Sequence, residues 1–375
     1  MRLFIVAIAC FIVSIVAAQN KMPYLLVGTY TNGKSEGIYV YQFNTETGMA
    51  TLVSKAKTDN PSYLAISNNG QFVYVVKEGG GDNGSGASAY AFDKHRGQLQ
   101  FLNKQSTHSD GPCYVTVDSQ NKWAFTANYK GGSLSAFPIK PDGSLDTLRQ
   151  LIQHTGNSIV KSRQKESHVH TVVLSPDEKY LFTNDLGTDK ITQYPFNPQT
   201  TSVPLSIENS IETQSTPGNG PRHIAFAPSK KYMFVINELS GTVDVFGFKH
   251  NHLKLKQTIS TDSTNNLDKG SADIHLSADG KFLYATNRGS YNTIATYAVN
   301  TLTGILKLLQ VQPTGGIMPR NFTIDPTGKF LLIGHQKSDN IIIFKRDTAT
   351  GLLKPTGMSI EVGSPVCLKM VGNEE

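Results

Sequence analysis

The sequence is poor in cysteine and has no motif typical of a tightly bound zinc ion. Three of the 375 residues are cysteine, and no Cys-x-x-Cys or His-x-x-x-His pair occurs. No ring of acidic residues dense enough for calcium is apparent either, so we expect neither a metal nor a cofactor. Cys113 and Cys367 have the option of forming one disulfide bond. Because a chain of this length can bury enough apolar surface without a disulfide, we expect two free, buried thiols.

Other absences exclude whole classes of function. The excess of 35 basic over 29 acidic residues is mild, and no polybasic block with interleaved aromatic residues occurs, which argues against nucleic-acid binding. No serine lies in a Gly-x-Ser-x-Gly elbow, so the nucleophile of an α/β-hydrolase is absent. The glycine-rich stretch 79–86 lacks the Gly-Lys-Ser/Thr ending of a phosphate-binding loop. No long segment shows the 3.6-residue apolar period of a helix.

The first eighteen residues are typical of a secretory signal. Arg2 supplies a positive start, residues 3–16 form a nearly uninterrupted apolar run, and Ala17 and Ala18 are small residues suited to cleavage. The run is shorter than the about 20 apolar residues that a membrane-spanning helix needs. We therefore predict a signal peptide over residues 1–18 and a mature chain over residues 19–375. The protein is then expected to be exported, to the periplasm or as a secreted protein, with no membrane association after cleavage.

An internal repeat dominates the rest of the chain. An apolar strand, a short polar turn and a second apolar strand recur along it. The copies span residues 66–72, 117–123, 174–180, 226–232, 276–282 and 324–330. Their first turn residues lie 48 to 57 residues apart. Self-similarity at a period of this size indicates a solenoid or a propeller.

The composition of each repeat favours the propeller. Each period contains four short runs rich in Val, Ile, Phe, Tyr and Leu, separated by Gly, Asn, Asp and Pro, as the blades of a β-propeller do. Residues 24–54 match strands two to four of a blade, and residues 365–370 match a first strand. The two termini would then complete a seventh blade, which closes the ring and removes open sheet edges. We predict one all-β domain, a seven-bladed β-propeller with four antiparallel strands per blade.

The repeat also assigns each residue a height within its blade. The innermost strand starts five positions before each turn, and antiparallel pairing returns the end of the second strand to the same face, eleven positions after the turn start. The strand starts are Ser62, Cys113, His170, Arg222, Ala272, Arg320 and Val366. The strand ends are Glu78, Tyr129, Leu186, Glu238, Arg288 and Gln336. Charge at one strand end is ordinary because strand ends meet solvent. Charges that converge from several blades on one mouth of the channel indicate a ligand site.

Segments around these positions resemble a known family, the seven-bladed-propeller lactonases, over essentially the whole mature chain. The resembling segments are residues 220–223, 235–239, 272–275, 286–288 and 319–322. The family includes the propeller-type bacterial 6-phosphogluconolactonase and the fungal 3-carboxy-cis,cis-muconate lactonizing enzyme. The resemblance implies that the family's proposed catalytic histidine, arginine, glutamate and second arginine fall on His170, Arg222, Glu238 and Arg288. His168 lies close enough to His170 to be an alternative match.

The chemistry of lactone opening suits these residue types. It needs a base that activates water, a group that stabilises charge on the carbonyl oxygen, and an anchor for an anionic substrate. Arg222 and Arg288 are expected in the last two roles, with Arg320 as an outer anchor, because a guanidinium meets a carboxylate or phosphate in two bonds. Either His170 or Glu238 is expected to transfer the proton, unless Glu238 only orients Arg222. Polar neighbours expected to bind the substrate are His223, Asn237, Asn287 and Gln336.

The expected function is hydrolysis of a sugar-derived lactone to the free acid, with 6-phosphogluconolactone or a related aldonolactone as the substrate that the resemblance suggests. Two alternatives remain at this point: a muconate-type cyclase, and a non-catalytic propeller that binds a ligand or partner, since fold alone does not define function. The expected partner is a small anionic lactone, and the oligomeric state stays open. Because phosphorylated sugars are mostly cytoplasmic, the predicted export favours an unphosphorylated lactone.

Overall fold

The computed structural model describes residues 22–79, 84–249, 252–262 and 270–372. The predicted signal peptide over residues 1–18 lies outside this range. The described residues form strands arranged as seven antiparallel sheets of four strands each. The all-β, seven-bladed architecture expected from the repeat is therefore confirmed. No helix among the described residues is long and apolar enough to cross a membrane.

Blades 1 to 4 follow the chain order, each from its inner to its outer strand. Blade 1 comprises β4 (Pro61–Ile66), β5 (Phe72–Lys77), β6 (Gly86–Asp93) and β7 (Gln98–Gln105). Blade 2 comprises β8 (Pro112–Val117), β9 (Trp123–Asn128), β10 (Ser133–Pro138) and β11 (Gln150–Gln153). Blade 3 comprises β12 (Val169–Leu174), β13 (Tyr180–Asp185), β14 (Lys190–Pro195) and β15 (Ile211–Gln214). Blade 4 comprises β16 (Pro221–Phe226), β17 (Tyr232–Asn237), β18 (Thr242–Lys249) and β19 (His252–Ser260).

The remaining blades complete the ring. Blade 5 comprises β20 (Ser271–Leu276), β21 (Phe282–Asn287), β22 (Thr293–Val299) and β23 (Leu306–Pro313). Blade 6 comprises β24 (Pro319–Ile324), β25 (Phe330–His335), β26 (Asn340–Arg346) and β27 (Leu353–Glu361). Blade 7 joins the C-terminal strand β28 (Pro365–Val371) to β1 (Tyr24–Thr29), β2 (Gly37–Phe43) and β3 (Ala50–Lys57). The pairing of β1 with β28 confirms that both termini close the last blade.

The recurring turn between the first two strands of a blade has a simple physical basis. In five blades the first turn residue is serine or aspartate, and its side-chain oxygen accepts the backbone N–H of the residue that opens the second strand. The donors are Phe72, Trp123, Tyr180, Phe282 and Phe330, at 2.6 to 3.1 Å from their acceptors Ser67, Asp118, Ser175, Ser277 and Asp325. Blade 4 has Ala227 at this place and keeps only the backbone bonds to Tyr232 and Lys230. The sequence repeat thus marks a hairpin that is stabilised by the same side-chain hydrogen bond in five blades.

A β-bulge lies near the start of the first strand of all seven blades. In blade 4, Pro221 pairs with Asn237 and His223 with Ile236, so that Arg222 has no opposite residue. The skipped positions are Ser62, Cys113, His170, Arg222, Ala272 with Asp273, Arg320 and Val366. Bulges re-aim a side chain next to a functional site. The strand starts selected from the sequence as channel-mouth residues are therefore the bulged residues of the ring.

The apolar core lies between neighbouring blades. Residues of the second and third strands point alternately to the two faces of each sheet, and large aromatic side chains fill the spaces between sheets. Phe125, Phe182, Phe234 and Phe344 are each almost fully buried. Complete burial of such a side chain contributes about 1.5–3 kcal/mol. Cys113 and Cys367 are buried and unbridged, as expected.

Candidate active site

A polar cavity of about 190 Å³ lies at one mouth of the central channel. Every blade contributes a residue to its wall. The lining residues are Tyr30, Glu78, Cys113, Tyr129, Arg163, His170, Glu238, Arg288 and Arg320. They come from bulged strand starts, from residues that directly follow the second strands, and from the segment before β12. The cavity is thus assembled by the ring as a whole, and closure of the ring by β28 is a condition for its shape.

The carboxylate of Glu238 lies at the centre of three arginine side chains. Arg163 Nη2 is 2.6 Å from Glu238 Oε1, whereas Arg222 Nε and Arg288 Nη2 are 3.0 and 2.8 Å from Oε2. Burial alone would raise the pKa of Glu238, but Arg288 and Arg222 together outweigh it and hold that pKa well below its usual range. Glu238 is therefore a permanent anion whose lone pairs are engaged. This favours an orienting role over proton transfer.

Arg222 supports the cavity from behind. Its side chain is almost fully buried, and it is not among the lining residues. Nη1 donates to the carbonyl oxygen of Ala272 at 2.5 Å and lies 3.1 Å from His223 Nε2. Burial and the neighbouring Arg288 lower the pKa of Arg222 to about 10, so the group remains charged at neutral pH. Arg222 thus fixes Glu238 in place without reaching the cavity.

A second buried carboxylate, Asp273, fixes the position of His223, which in turn bonds to Arg222. Asp273 Oδ1 is 2.8 Å from His223 Nδ1, and Oδ2 accepts from Asn321 Nδ2 at 2.5 Å and lies 2.9 Å from His275 Nε2. Since a guanidinium can only donate, His223 accepts from Arg222 through Nε2 and donates to Asp273 through Nδ1. Burial and Arg222 lower the pKa of His223 to about 3, which keeps the ring neutral. A continuous chain of hydrogen bonds therefore runs from Asp273 to Glu238.

His170 is a neutral imidazole on the cavity wall. Burial lowers the pKa of His170 well below its usual value, and the positive charge of Arg222 lowers it further. Its Nδ1 lies 3.8 Å from Cys113 Sγ, and its ring contacts Tyr129 edge-on at 5.3 Å between centroids. Burial also raises the pKa of the Cys113 thiol, which stays protonated. The lowered pKa of His170 opposes uptake of a proton. The uncharged ring can still donate a hydrogen bond to a ligand or accept one from it.

The opposite wall carries a separate charged group of residues. The Tyr30 hydroxyl donates to Glu78 Oε2 at 2.7 Å, and Arg320 Nη2 lies 4.0 Å from the same oxygen. The Arg320 guanidinium also stacks over the Tyr30 ring, 5.4 Å from its centroid. Burial raises the pKa of Tyr30, so its hydroxyl remains a donor. Glu78 is the less buried of the two cavity carboxylates, with 24% of its side chain exposed.

The charges around the cavity do not balance. Four guanidinium groups lie at it or directly behind it, against two carboxylates. The guanidinium groups belong to Arg163, Arg222, Arg288 and Arg320, and the carboxylates belong to Glu78 and Glu238. With His170 neutral, the surplus is positive. Such a site favours an anionic ligand and attracts it over a distance. No group of three or more His, Cys, Asp or Glu side chains in the described ranges is arranged to hold a metal ion.

The structure brings most, but not all, of the sequence-selected residues together. His170, Glu238, Arg288 and Arg320 line the cavity, and Arg222 lies directly behind it. His223 is one layer deeper, where it bonds to Asp273, and its expected contact with the substrate stays a prediction.

Two of the selected amides bond to neighbouring protein groups, and a third is not on the cavity wall. Asn237 Nδ2 donates to Asp244 of the same blade, whereas Asn287 Nδ2 donates to the carbonyl oxygen of Thr261, in the segment that joins β19 of blade 4 to β20 of blade 5. Gln336 is not a lining residue. None of these three residues lines the cavity, and the substrate-binding roles expected for them from the sequence stay predictions.

Sequence reasoning selected too few of the residues that do line the wall. Glu78, Cys113 and Tyr129 occupy the strand-start and strand-end positions of the repeat but were not chosen as site residues. Their register positions place them at the same channel mouth as the charged residues, and this was the signal that could have identified them. Tyr30 directly follows β1, the second strand of blade 7, and so lies at the same strand-end position as Arg288. Arg163 follows no shared register position, because it belongs to the segment between β11 and β12. No pattern in a single sequence shows that the long segment between β11 and β12 reaches the channel mouth, so Arg163 could not be identified from it.

Fold and site together define an enzyme-like propeller, with a charged cavity at the mouth of a closed seven-bladed ring. The chain belongs to the family described as "Lactonase, 7-bladed beta-propeller", whose model matches residues 24–370. It is 36% identical to the 6-phosphogluconolactonase of Formosa agariphila over 92% of this chain and 99% of that protein. It is also 36% identical to the 6-phosphogluconolactonase of Bacillus subtilis, over 92% and 97% of the two chains.

A solved structure gives the same result at the level of the fold. The periplasmic gluconolactonase PpgL of Pseudomonas aeruginosa superimposes with a TM-score of 0.89 at 36% identity, over 94% of this chain and 100% of that chain. The family resemblance noted on the sequence motifs is thereby confirmed. These relatives are named for lactone hydrolysis, which favours neither the cyclase nor the binding-only alternative.

Proposed function

We propose that this chain hydrolyses a sugar-derived lactone that carries a negatively charged group, as 6-phosphogluconolactone does, to the free acid. The observation that carries this proposal is the surplus of guanidinium groups at a cavity that only small molecules can enter. Relatives named 6-phosphogluconolactonase, at 36% identity over nearly the full length, support the reaction class.

The contacts support a division of roles around the bound lactone. Arg288 and Arg163 approach the cavity from the Glu238 side and are placed to stabilise the charge that develops on the carbonyl oxygen. Glu238, held also by Arg222, orients both donors. Arg320 on the opposite wall is the anchor for the substrate's anionic group, because its ion pair with Glu78 is the longest of the set.

His170 is proposed in a different role from the proton transfer that the sequence predicted for it or for Glu238. His170 faces the cavity as a neutral ring, which suits a hydrogen bond to the lactone or its ring oxygen. A neutral imidazole can polarise a carbonyl without carrying charge itself. His170, Glu238 and Arg288 are thus proposed as catalytic residues, and Arg222 as a positioning residue that acts through Glu238.

An unphosphorylated aldonolactone is the second candidate substrate. The periplasmic gluconolactonase of Pseudomonas aeruginosa supports it, as does the leader-like sequence of residues 1–18, on which we propose that this chain is exported. Gluconolactone is neutral but its product is an anion, so the cationic cavity also suits the product side of that reaction.

A titration of released acid tests the proposal. Purified protein beginning at residue 19 is incubated at constant pH with gluconolactone, its 6-phosphate or carboxymuconolactone, with and without a chelator. Enzyme-dependent acid release from one of the first two, unaffected by chelator, is the expected result. Acid release from none of the three would leave only the binding function.

The Arg320→Gln variant is expected to separate the two substrates. Loss of a charge-assisted bond to phosphate costs about 1.5–3 kcal/mol, so KM for the phosphorylated lactone should rise by roughly 10- to 150-fold. The values of kcat for both lactones, and KM for gluconolactone, should change much less. Steady-state kinetics at low and moderate salt measure these constants. Arg149→Gln, at an exposed arginine paired with Asp146, is the matched control. Equal losses for both lactones would contradict the anchoring role.

A further inference from the structure

Three side chains on the cavity wall are of a type that can activate water: His170, Glu238 and Glu78. Cys113 and the two tyrosines of the wall are kept protonated because burial raises the pKa of each. Hydrolysis needs one group that takes a proton from water as it attacks the lactone carbonyl. The choice among the three therefore decides how the site works.

Two of the three are poorly placed for this step. Both oxygens of Glu238 are engaged by arginine side chains at 2.6 to 3.0 Å, so a proton on Glu238 would have to displace an ion pair. His170 lies beside the charged Arg222 and in a buried environment, both of which oppose formation of an imidazolium. A base with suppressed proton affinity accelerates proton transfer less than one matched to the reaction.

Glu78 differs from both. It directly follows β5, and its backbone N–H donates to the carbonyl oxygen of Asn60 at 3.1 Å, which fixes the start of its side chain. Tyr30 donates to Oε2, and Arg320 approaches the same oxygen. Within the described parts of the chain, no hydrogen bond to Oε1 is formed. One oxygen of Glu78 is thus held in position while the other is available to a ligand or water.

The order of the blades places Glu78 across the cavity from the arginine cluster. The first strands contact one another in the cyclic order β4, β8, β12, β16, β20, β24, β28 and back to β4. Glu78 belongs to blade 1, whereas Glu238 and Arg288 belong to blades 4 and 5, which lie opposite blade 1 in a ring of seven. A lactone between them would have its carbonyl oxygen at the arginines and its open face toward Glu78.

We propose that Glu78 is the general base of this site, which activates the attacking water through Oε1. This inference rests on the proposed lactone hydrolysis. The Glu78 carboxylate takes one proton from water as the water oxygen bonds to the carbonyl carbon. The tetrahedral intermediate then expels the ring oxygen, and the proton held by Glu78 passes to that oxygen. One lactone and one water give one hydroxy acid, and Glu78 returns to its starting state.

The test compares two nucleophiles on the same variants. Water must lose a proton as it attacks, whereas hydroxylamine attacks through its nitrogen lone pair and gives a hydroxamate that is measured by its coloured iron complex. Glu78→Gln is expected to lower kcat for hydrolysis by about 10²- to 10³-fold, with little change in KM, while enzyme-dependent hydroxamate formation remains. His170→Gln should keep the wild-type ratio of hydroxamate to acid. Glu361→Gln, at an exposed glutamate of β27, is the control for differences between protein preparations.

The outcomes separate this inference from the proposed function. If the wild-type protein hydrolyses no lactone, both the proposed lactone hydrolysis and the general-base role of Glu78 are refuted. If the wild-type protein is active and the Glu78→Gln variant is nearly as active, the general-base role is refuted but the lactone hydrolysis stands. Loss of both reactions in Glu78→Gln, or a selective loss of hydrolysis in His170→Gln instead, overturns the assignment to Glu78. Selective loss of hydrolysis in Glu78→Gln alone supports it.

Discussion

The Glu238→Gln variant is expected to be about 3–5 kcal/mol less stable to unfolding than the wild-type protein, because removing one partner of a buried ion pair leaves uncompensated charge. Here one carboxylate pairs with three guanidinium groups, so the variant leaves all three positive charges without the anion that they share. Mutual repulsion would move Arg163 and Arg288, and a displacement of about 1 Å at a reacting centre can cost roughly 10²-fold in rate. Urea unfolding and lactone hydrolysis measure the two effects.

Two comparisons make this expectation specific to the cluster. Glu212→Gln removes the partner of Lys190 at an exposed pair and should change stability by about 0–1 kcal/mol. Inorganic phosphate, an anion that can replace the lost charge, should raise the Tm of Glu238→Gln more than that of the wild-type protein. A Glu238→Gln variant as stable as the wild-type protein, with no additional response to phosphate, would show that the arginines need no central anion.

Much of the fold followed from the repeat because each copy carries its own physical cause. A serine or aspartate that accepts the N–H of the returning strand defines the hairpin five times, and that hairpin can be located from the sequence alone. The same register predicted the channel-mouth residues, since a bulge near the first-strand start recurs in all seven blades. Glu238 and Arg288 were selected because the second strand returns to the face where the first strand begins.

The sequence could not predict which side chains act through others. Arg222 occupies the same register position as His170 and Arg320, yet it points behind the wall because Ala272 and His223 receive its donors. Asn237 and Asn287 adjoin cavity residues in sequence but donate to Asp244 and to Thr261. A register assigns height, whereas these differences depend on contacts between blades, which have no fixed sequence spacing.

Acidification from pH 7.5 to 5 is expected to destabilise the protein strongly, because three buried histidines are held neutral. Burial lowers the pKa of His223 to about 3 and that of His335 to about 4, and it lowers the pKa of His170 well below its usual range. The unfolded chain takes up protons at these residues near pH 6.5, whereas the folded chain does not. The unfolded state therefore binds more protons, and stability must fall as the pH falls.

The size and window of the effect follow from the same linkage. Each histidine that stays neutral in the folded protein lowers the free energy of unfolding by about 2 kcal/mol between pH 7.5 and pH 5, since one pKa unit corresponds to about 1.36 kcal/mol. Three such histidines lower it by about 6 kcal/mol, which is comparable with the roughly 5–15 kcal/mol by which a typical protein is stable. Glu238 and Asp273, whose folded pKa values are lowered, add to the loss only below the unfolded carboxyl values of about 4.

Urea unfolding at several pH values between 7.5 and 4.5 measures this slope directly. The His335→Gln variant, altered away from the cavity, should show a slope smaller by about one proton between pH 6 and pH 5, whatever its stability at neutral pH. A wild-type unfolding free energy that is flat over this range would mean that the histidines gain protons in the fold. His170 would then gain a proton in the fold as readily as in the unfolded chain, so that below about pH 6.5 the cavity would hold a further positive charge and His170 could not act as a neutral hydrogen-bonding group beside the lactone.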